Sequence, residues 1–420
     1  MDAVHLLMAF PVFYPFYSGA AERFRRYLPG MRARGVRVAV LTGTPVREKG
    51  GPLEGTREWR RRPHGALLPI EDVDGVPVHR VRLPDESNRR RASVFARALA
   101  RYCRNPRRRR PDVVQLFTPA ATALPDLWRI RRAGTSLVGT RTLMPDLPKG
   151  SIRAMVRRAS IRSGGRGVDC QTVGSRAMLQ AYRRLGVRGP MEVIPHGVDT
   201  ERFRPPQGEE ERRRVRWKLR IPEPAPLLLF CGALTPRKGA HRLLAAWKRI
   251  ASAAPQVHLV VLGEKRTDTS SSVRSFHANL EELARESGAG DRVHYPGLVE
   301  NIEDYFRAAD VFVFPSEREG LPNAMVEAMA SGLPVLSSPF DGLSPELGTA
   351  GKDYVLSSFE PEKLAQDVQG LIRDPDRRKT IGRQARRWVV GNLDVHASIE
   401  AYVSLYRRLA ARKRPGTTDP

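Results

Sequence analysis

The chain has 420 residues, of which 41% are hydrophobic, and its 72 Lys and Arg against 45 Asp and Glu give a formal net charge of +27. That length is enough for two domains, because single cores stop growing near about 250 to 300 residues, and the ordinary apolar content excludes a fibrous or wholly disordered chain. The positive excess reads either as a solvated, arginine-rich surface or as attraction to something anionic, whether an acidic bilayer face, nucleic acid or a phosphorylated substrate.

In chain order, residues 3–10 read as a buried strand, 20–34 as a helix and 36–41 as a second strand, the strand-loop-helix-strand unit of a doubly wound sheet. The opening residues carry Asp2, lack a basic leader and are interrupted by Pro11 and Pro15, so no signal peptide is expected. Gly19, in the loop before the first helix, lets backbone come close to a bound group or marks a tight turn. Residues 45–63, with Gly50-Gly51 and Arg60 to Arg62, read as a long loop, and Asp74-Gly75 between alternating valines reads as a hairpin. A short basic helix over 93–102 and the charge run Arg107 to Arg110 precede a strand over 113–117. A helix over 124–132 and a strand over 136–141 follow. Over 149–166, Ile152, Met155, Val156 and Ala159 fall on one helical stripe and Arg153, Arg157 and Arg158 occupy the rest. Core packing is the expected use of that stripe, and contact with an anionic membrane or acceptor is the other. A strand over 168–173 and a helix over 176–185 close this half.

The stretch 204–226, rich in Pro and charge, reads as a domain connection. A second series opens with a strand over 227–230 and the loop 232–239, whose Arg237 and Lys238 stand just before a helix over 240–250. Cations fixed there can stabilise growing negative charge without a metal. Strands over 257–262 and 293–295 follow, with a Ser-rich mobile insertion at 267–275 and a helix over 302–308. The run 311–314, closed by Pro315, is continuously apolar and suits a central strand buried on both faces. Pro322 suits the first position of a helix reaching Ser331, which Gly332 and Pro334 end before a strand at Val335 and Leu336. Glu319 and Glu327 would lie at most ~12 Å apart along that helix, about the span of a sugar–diphosphate–ribose unit. Helices over 361–372, 375–390 and 395–412 complete the chain, with a flexible tail at 413–420.

Nowhere do about eighteen uncharged apolar residues run together, so no spanning helix is expected. Cys103, Cys170 and Cys231 have neither zinc nor disulfide-framework spacing, which fits a reducing cytoplasm. No DNA or RNA recognition motif stands in the chain, so specific nucleic-acid binding is not expected.

The text Glu319-Gly320-Leu321-Pro322-Asn323, then Val326-Glu327-Ala328-Met329-Ala330 and Gly332-Leu333-Pro334-Val335, resembles the donor-binding segment of retaining glycosyltransferases of GT-B architecture, family 4. Val193 to Asp199 is similar to that family's crossing into its second domain, with His196 where asparagine is usual, and Lys238 stands where the family keeps a lysine. The resemblance implies an α/β GT-B fold, two Rossmann-like doubly wound domains facing across a cleft. They would comprise an acceptor domain over 1–190, joined by the returning helix about 395–412, and a donor domain over 191–394. It implies transfer of a sugar from a UDP- or GDP-sugar, without cofactor or metal, to a glycan or lipid-linked acceptor in cell-surface glycan synthesis; the cysteine usage sets the expected place as the cytoplasm, and the basic charge adds its inner membrane face as an option. In that picture Glu319 positions the sugar, Lys238 and Arg237 the diphosphate, and Glu327 the ribose; Gly320, Leu321, Pro322, Asn323, Gly232 and Leu298 line the donor, and Gly19 approaches its diphosphate. Arg141 falls on the acceptor side, where relatives often carry histidine. Ala233 replaces a usual arginine, Ser18 one of a usual glycine pair, and Gln115-Leu116-Phe117-Thr118 a strand end where many relatives have a histidine. A catalytically altered binding partner, or another GT-B enzyme such as a sugar-nucleotide epimerase, is the alternative.

Overall fold

The computed structural model describes residues 3–14, 19–44, 62–84, 88–117, 123–145, 152–264 and 271–412. The expectations for most of the 45–63 loop, Ser18, Thr118, the first part of the Ser-rich insertion and the tail lie outside those residues. The chain divides into two compact units, Met1–Pro195 together with His396–Pro420, and His196–Val395.

The first unit is built on β1 (Val4–Phe10), β2 (Val36–Gly43), β3 (Glu71–Val73), β4 (Val76–Val81), β5 (Val113–Phe117), β6 (Ser136–Thr140), β7 (Cys170–Val173) and β8 (Met191–Val193). These form one sheet in the order β3-β4-β2-β1-β5-β6-β7-β8, parallel except for the β3–β4 hairpin. Its turn residues Asp74 and Gly75 both have positive φ, 54° and 74°, as a two-residue hairpin turn requires. Helices α1 (Gly19–Ala33), α2 (Asn88–Arg104), α3 (Leu124–Arg132), α4 (Ile152–Arg166) and α5 (Arg176–Arg184) supply the crossovers. One face of the sheet buries Leu7, Leu41, Val114, Leu116 and Leu137. On the other, Phe10 stacks on Phe117 at 4.0 Å and Phe24 meets Tyr402 edge-on at 5.0 Å. Tyr402 and Tyr406 belong to the last helix, α13 (Val395–Ala411), so this unit's core is closed by residues that come last in the chain.

The amphipathic reading of 149–166 is corrected here. Met155, Val156 and Ala159 do not enter the core: residues 155–159 are all exposed. Burial falls instead on Gly164, Gly165 and Gly167, where the backbone approaches closely; a Cβ on Gly167 would sit 2.8 Å from Leu124 Cδ2.

The second unit has β9 (Leu227–Cys231), β10 (His258–Leu262), β11 (Val293–Gly297), β12 (Val311–Phe314), β13 (Val335–Ser337) and β14 (Val355–Leu356). All pair in parallel in the order β11-β10-β9-β12-β13-β14. Val311 and Val313 face one core while Phe312 and Phe314 face the other, as a strand covered on both sides must. Helices α6 (Glu209–Lys218), α7 (Ala240–Ala253), α8 (Ser271–Glu286), α9 (Ile302–Ala308), α10 (Asn323–Ala330), α11 (Pro361–Arg373) and α12 (Pro375–Asn392) flank this sheet. Two of them depart from the sequence reading: α6 lies inside the stretch taken as a connection, and α8 begins inside the expected insertion. Among the described residues no helix is long and apolar enough to cross a membrane.

At the start of β10, His258 Nδ1 lies 2.9 Å from His294 Nε2 on β11, with the rings stacked at 5.2 Å. Burial, then the neighbouring His294 and Arg292, push His258 down to about 4, and burial lowers His294 as well. The fold therefore keeps the pair neutral where the unfolded chain, titrating near pH 6.5, takes up protons. Stability is expected to fall as pH drops from about 6.5 towards 4. A His258→Gln variant should show a shallower dependence when melting temperature is followed across that range, and an unchanged slope would contradict this account.

Candidate active site

The order of the second sheet reverses between β9 and β12, the place where doubly wound folds bind ligands beyond the carboxyl ends of the strands. The loops leaving those two strands meet there. Gly239 closes the 3₁₀ turn Pro236–Lys238 with φ 78°, and a Cβ on it would stand 1.9 Å from the Pro315 carbonyl oxygen, so only glycine allows the approach. Across this junction the Glu317 N–H donates to the Arg237 carbonyl at 2.9 Å, and Arg237 Nη1 donates to the Arg318 carbonyl at 2.6 Å. Arg242 pairs with Glu317 beside it. A third wall comes from the loop after β13: the Glu319 N–H donates to the Asp341 carbonyl at 2.9 Å and the Asp341 N–H to the Glu317 carbonyl at 2.8 Å.

Glu319, only 4% exposed, sits at the centre. Its Oε1 accepts from the Ser316 hydroxyl at 2.6 Å, from Arg237 Nη1 at 2.7 Å and from Lys238 Nζ at 2.8 Å. Burial pushes this carboxyl up, but the charges of Lys238 and Arg237 and the hydrogen bonds from Lys238 and Ser316 outweigh it and hold the group below the usual carboxylate range. Glu319, Arg237 and Lys238 thus form one ionised cluster. Ser316, which carried no signal beyond its place after a central strand, completes it.

The donor segment continues from Glu319 through Leu321 into α10. Pro322 is the residue before the helix, with φ −78° and ψ 109°, one place earlier than its fitness for the first helical position suggested. Its carbonyl accepts the Val326 N–H at 3.2 Å, so the missing proline N–H still costs the helix nothing. The Leu321 carbonyl lies 3.3 Å from Nδ1 of His196, which ties this segment to the first residue of the unit. Glu327 lies buried midway along α10 among Met325, Val326, Ala328 and Met329.

Three glycines line up at the strand ends. The Gly232 N–H donates to the Leu262 carbonyl at 3.0 Å and the Gly263 N–H to the Gly297 carbonyl at 3.2 Å. The Lys238 side chain passes over Gly232, and Leu298, 57% exposed, follows Gly297 in the same row. Glu319, Lys238, Arg237, Gly232 and Leu298 therefore lie along one rim of the sheet with Gly320, Pro322 and Asn323 beside them.

Two expected residues belong to the first unit. Gly19 is the first residue of α1, one place ahead of the expected helix start. Arg141 is not an open acceptor group: it is buried, its Nε donates to Gln171 Oε1 at 3.1 Å and Nη2 to the Ile161 carbonyl at 3.2 Å, and its guanidinium lies 5.2 Å from the Tyr182 ring centre. Gln115 is likewise interior, donating to Thr140 at 2.8 Å and accepting from the Tyr406 hydroxyl.

Residues 211–388 match the family model described as Glycosyl transferases group 1, and residues 18–197 match the Glycosyl transferase 4-like domain. The chain belongs to the group 1 glycosyltransferases. Among similar curated proteins, a GDP-mannose-dependent monoacylated alpha-(1-6)-phosphatidylinositol monomannoside mannosyltransferase of Corynebacterium glutamicum is 29% identical over 240 residues, 55% of this chain and 60% of that protein. A D-inositol 3-phosphate glycosyltransferase of Streptomyces avermitilis is 30% identical over 202 residues, 48% of this chain and 43% of that protein. The chain thus spans less than two thirds of either relative. A lipopolysaccharide core biosynthesis glycosyltransferase of Rhizobium meliloti, 25% identical over 394 residues, is matched over 96% of its length and 92% of this chain. Sucrose-phosphate synthase of Thermosynechococcus elongatus superposes with a TM-score of 0.76 at 22% identity, covering 97% of this chain and all of that one. Anabaena Alr3699/HepE, solved with UDP and glucose, superposes with a TM-score of 0.73 at 19% identity, over 96% and 100%. The chain shares with these two structures the GT-B fold, an α/β architecture of two Rossmann-like domains.

Proposed function

We propose that the protein is a retaining, metal-independent glycosyltransferase that moves a hexosyl group from a UDP- or GDP-sugar to a hydroxyl of a glycan or lipid-linked acceptor in cell-surface glycan synthesis. The observation that carries the reading is the Glu319–Lys238–Arg237 cluster at the switch point of the second sheet. A donor diphosphate bound on that rim would draw on Lys238 and Arg237 as the C1–O bond breaks and its electron pair passes to the leaving phosphate oxygen. A carboxylate already held by two cations is a weak base and a weak nucleophile, so Glu319 is unsuited to the covalent role of a retaining glycosidase carboxylate. The acceptor oxygen then attacks on the face the phosphate leaves, its proton passing to that phosphate. Both bases are represented among the similar proteins, as GDP-mannose in the name of the mannosyltransferase and UDP in the Anabaena complex. A cytoplasmic site accords with the three free thiols.

The test is thermal stability with UDP, GDP and ADP. UDP or GDP is expected to raise the melting temperature, because a ligand that binds only the folded chain stabilises it by mass action. Lys238→Ala should remove most of that rise. Failure of all three nucleotides to shift the unfolding would overturn the reading. The strand end Gln115-Leu116-Phe117-Thr118 carries no histidine where many relatives have one, and Gln115 is held inside the core, which favours one second reading, a catalytically altered binding partner. Release of UDP or GDP from a panel of nucleotide sugars separates the two.

A further inference from the structure

The turn that carries Arg237 and Lys238 is gripped from two sides. After Lys238, Gly239 seats it against Pro315. Ahead of Lys238, the Thr235 N–H donates to the Ala233 carbonyl at 2.8 Å and the Lys238 N–H to the Thr235 carbonyl at 3.0 Å; these bonds are internal and shape the turn without anchoring it. The anchor on this side is Leu234. Its side chain, 3% exposed, packs over Gly263 so closely that a Cβ there would lie 3.1 Å from Leu234 Cδ2. Its carbonyl lies 3.1 Å from Nε2 of His277 on α8, itself buried. A carbonyl can only accept, so Nε2 carries the hydrogen of this bond.

His277 stands where α8 should be apolar. With Leu280 and Ala284, both buried, it follows the i, i+3, i+7 spacing of the helix's inward stripe. A polar ring on such a stripe costs stability unless it is hydrogen-bonded, and an aliphatic residue there would take this donor away from the buried Leu234 carbonyl. The neighbouring Phe276 meets the His241 ring edge-on at 5.6 Å, and His241 is the second residue of α7. Two consecutive side chains of α8 thus hold the chain just before and just after the turn. The position of the Leu234 carbonyl sets where the turn begins. Lys238 Nζ reaches Glu319 at 2.8 Å while its stem passes over Gly232, so a displaced turn would carry the ammonium away from that line.

Given a nucleotide-sugar donor on this rim, as proposed for the function, we infer that His277 is a positioning residue for the donor diphosphate. Its bond to the Leu234 carbonyl fixes the leading arm of the turn, and through it the aim of Lys238 and Arg237. The same bond in a purely structural role would stabilise the unit without sensing the second phosphate.

Calorimetric titration of the full chain with UDP, UMP, GDP and GMP tests this. For the preferred base, the diphosphate is expected to bind more tightly than the monophosphate. His277→Leu should shrink that gap about tenfold, the scale of one charge-assisted bond lost, while monophosphate affinity stays within about twofold. His277→Gln, whose amide nitrogen can stand where Nε2 does, should restore the gap. If His277→Leu does not fold, His277→Asn, whose amide is too short to reach the carbonyl, carries the same expectation. Retained monophosphate binding shows that a variant folds. An unchanged gap in the variant without the donor, equal loss for both nucleotides, or a glutamine variant no better than leucine would overturn the inference. A parent chain that binds none of the four overturns the donor reading itself, and with it this role for His277.

Discussion

Glu319→Ala is expected to lower nucleoside diphosphate release from the preferred donor by about 10²- to 10³-fold, the usual cost of removing one preorganised charge from a transfer site. The side chain holds Arg237 and Lys238 at 2.7 and 2.8 Å, and without it both cations are free to turn towards water and lose their aim. Because they are already 27% and 17% exposed, the folding penalty should stay near about 1 to 2 kcal/mol, below the roughly 3 to 5 typical of a fully buried pair. Glu319→Gln sharpens the test. It keeps the shape and can still accept from Ser316, yet it removes the charge, so turnover should remain depressed while the melting temperature recovers. Full activity in the glutamine variant would mean that the cluster acts through packing alone.

The second large effect belongs to Gly239. In Gly239→Ala the new methyl would meet the Pro315 carbonyl oxygen at 1.9 Å with φ at 78°, so the loops after β9 and β12 must separate. A loss of about 3 kcal/mol or more is expected from the clash and the left-handed backbone together. Thermal unfolding followed by circular dichroism should show it, along with loss of any shift by UDP or GDP. Gly232→Ala is the control: its Cβ would lie 3.5 Å from Lys238 Cδ, an ordinary contact, and stability should barely change. If the two variants melted alike, the junction at Pro315 would not be what holds the rim together.

The α/β class and its central strand were legible because Val311 to Phe314 is an unbroken apolar run bounded by Asp310 and Pro315, a pattern that water-facing strands do not show. Glu319, Lys238 and Arg237 were legible as residues but not as a cluster. Lys238 and Glu319 are far apart in sequence, and nothing local reveals that one carboxylate oxygen receives both cations. Helix α6 escaped for a different reason: only Val215 and Arg216 are buried, so its apolar period is faint. Its charge pattern, Glu209 to Glu211 in the first turn and Arg216 and Lys218 in the last, suits the helix dipole and was the available signal. The stripe on α4 misled in the opposite sense, since periodicity states which residues share a face and not whether anything covers it. Arg141 and Gln115 show the same limit: a polar residue at a strand end reads as a site until its partners, Gln171 and Ile161 for one and Thr140 and Tyr406 for the other, are known.

The polar core of the first unit has a further consequence, for the order of events during synthesis. Gln115 and Ser136 leave the ribosome early, yet Tyr406 and the Leu409 carbonyl that bind them emerge only after the entire His196–Val395 unit. The later-made unit can therefore mature first, while the earlier one waits with an open seam for α13. A nascent chain stalled before that helix would expose Phe24 and the buried amide of Gln115, and chaperone capture should be strongest in that interval.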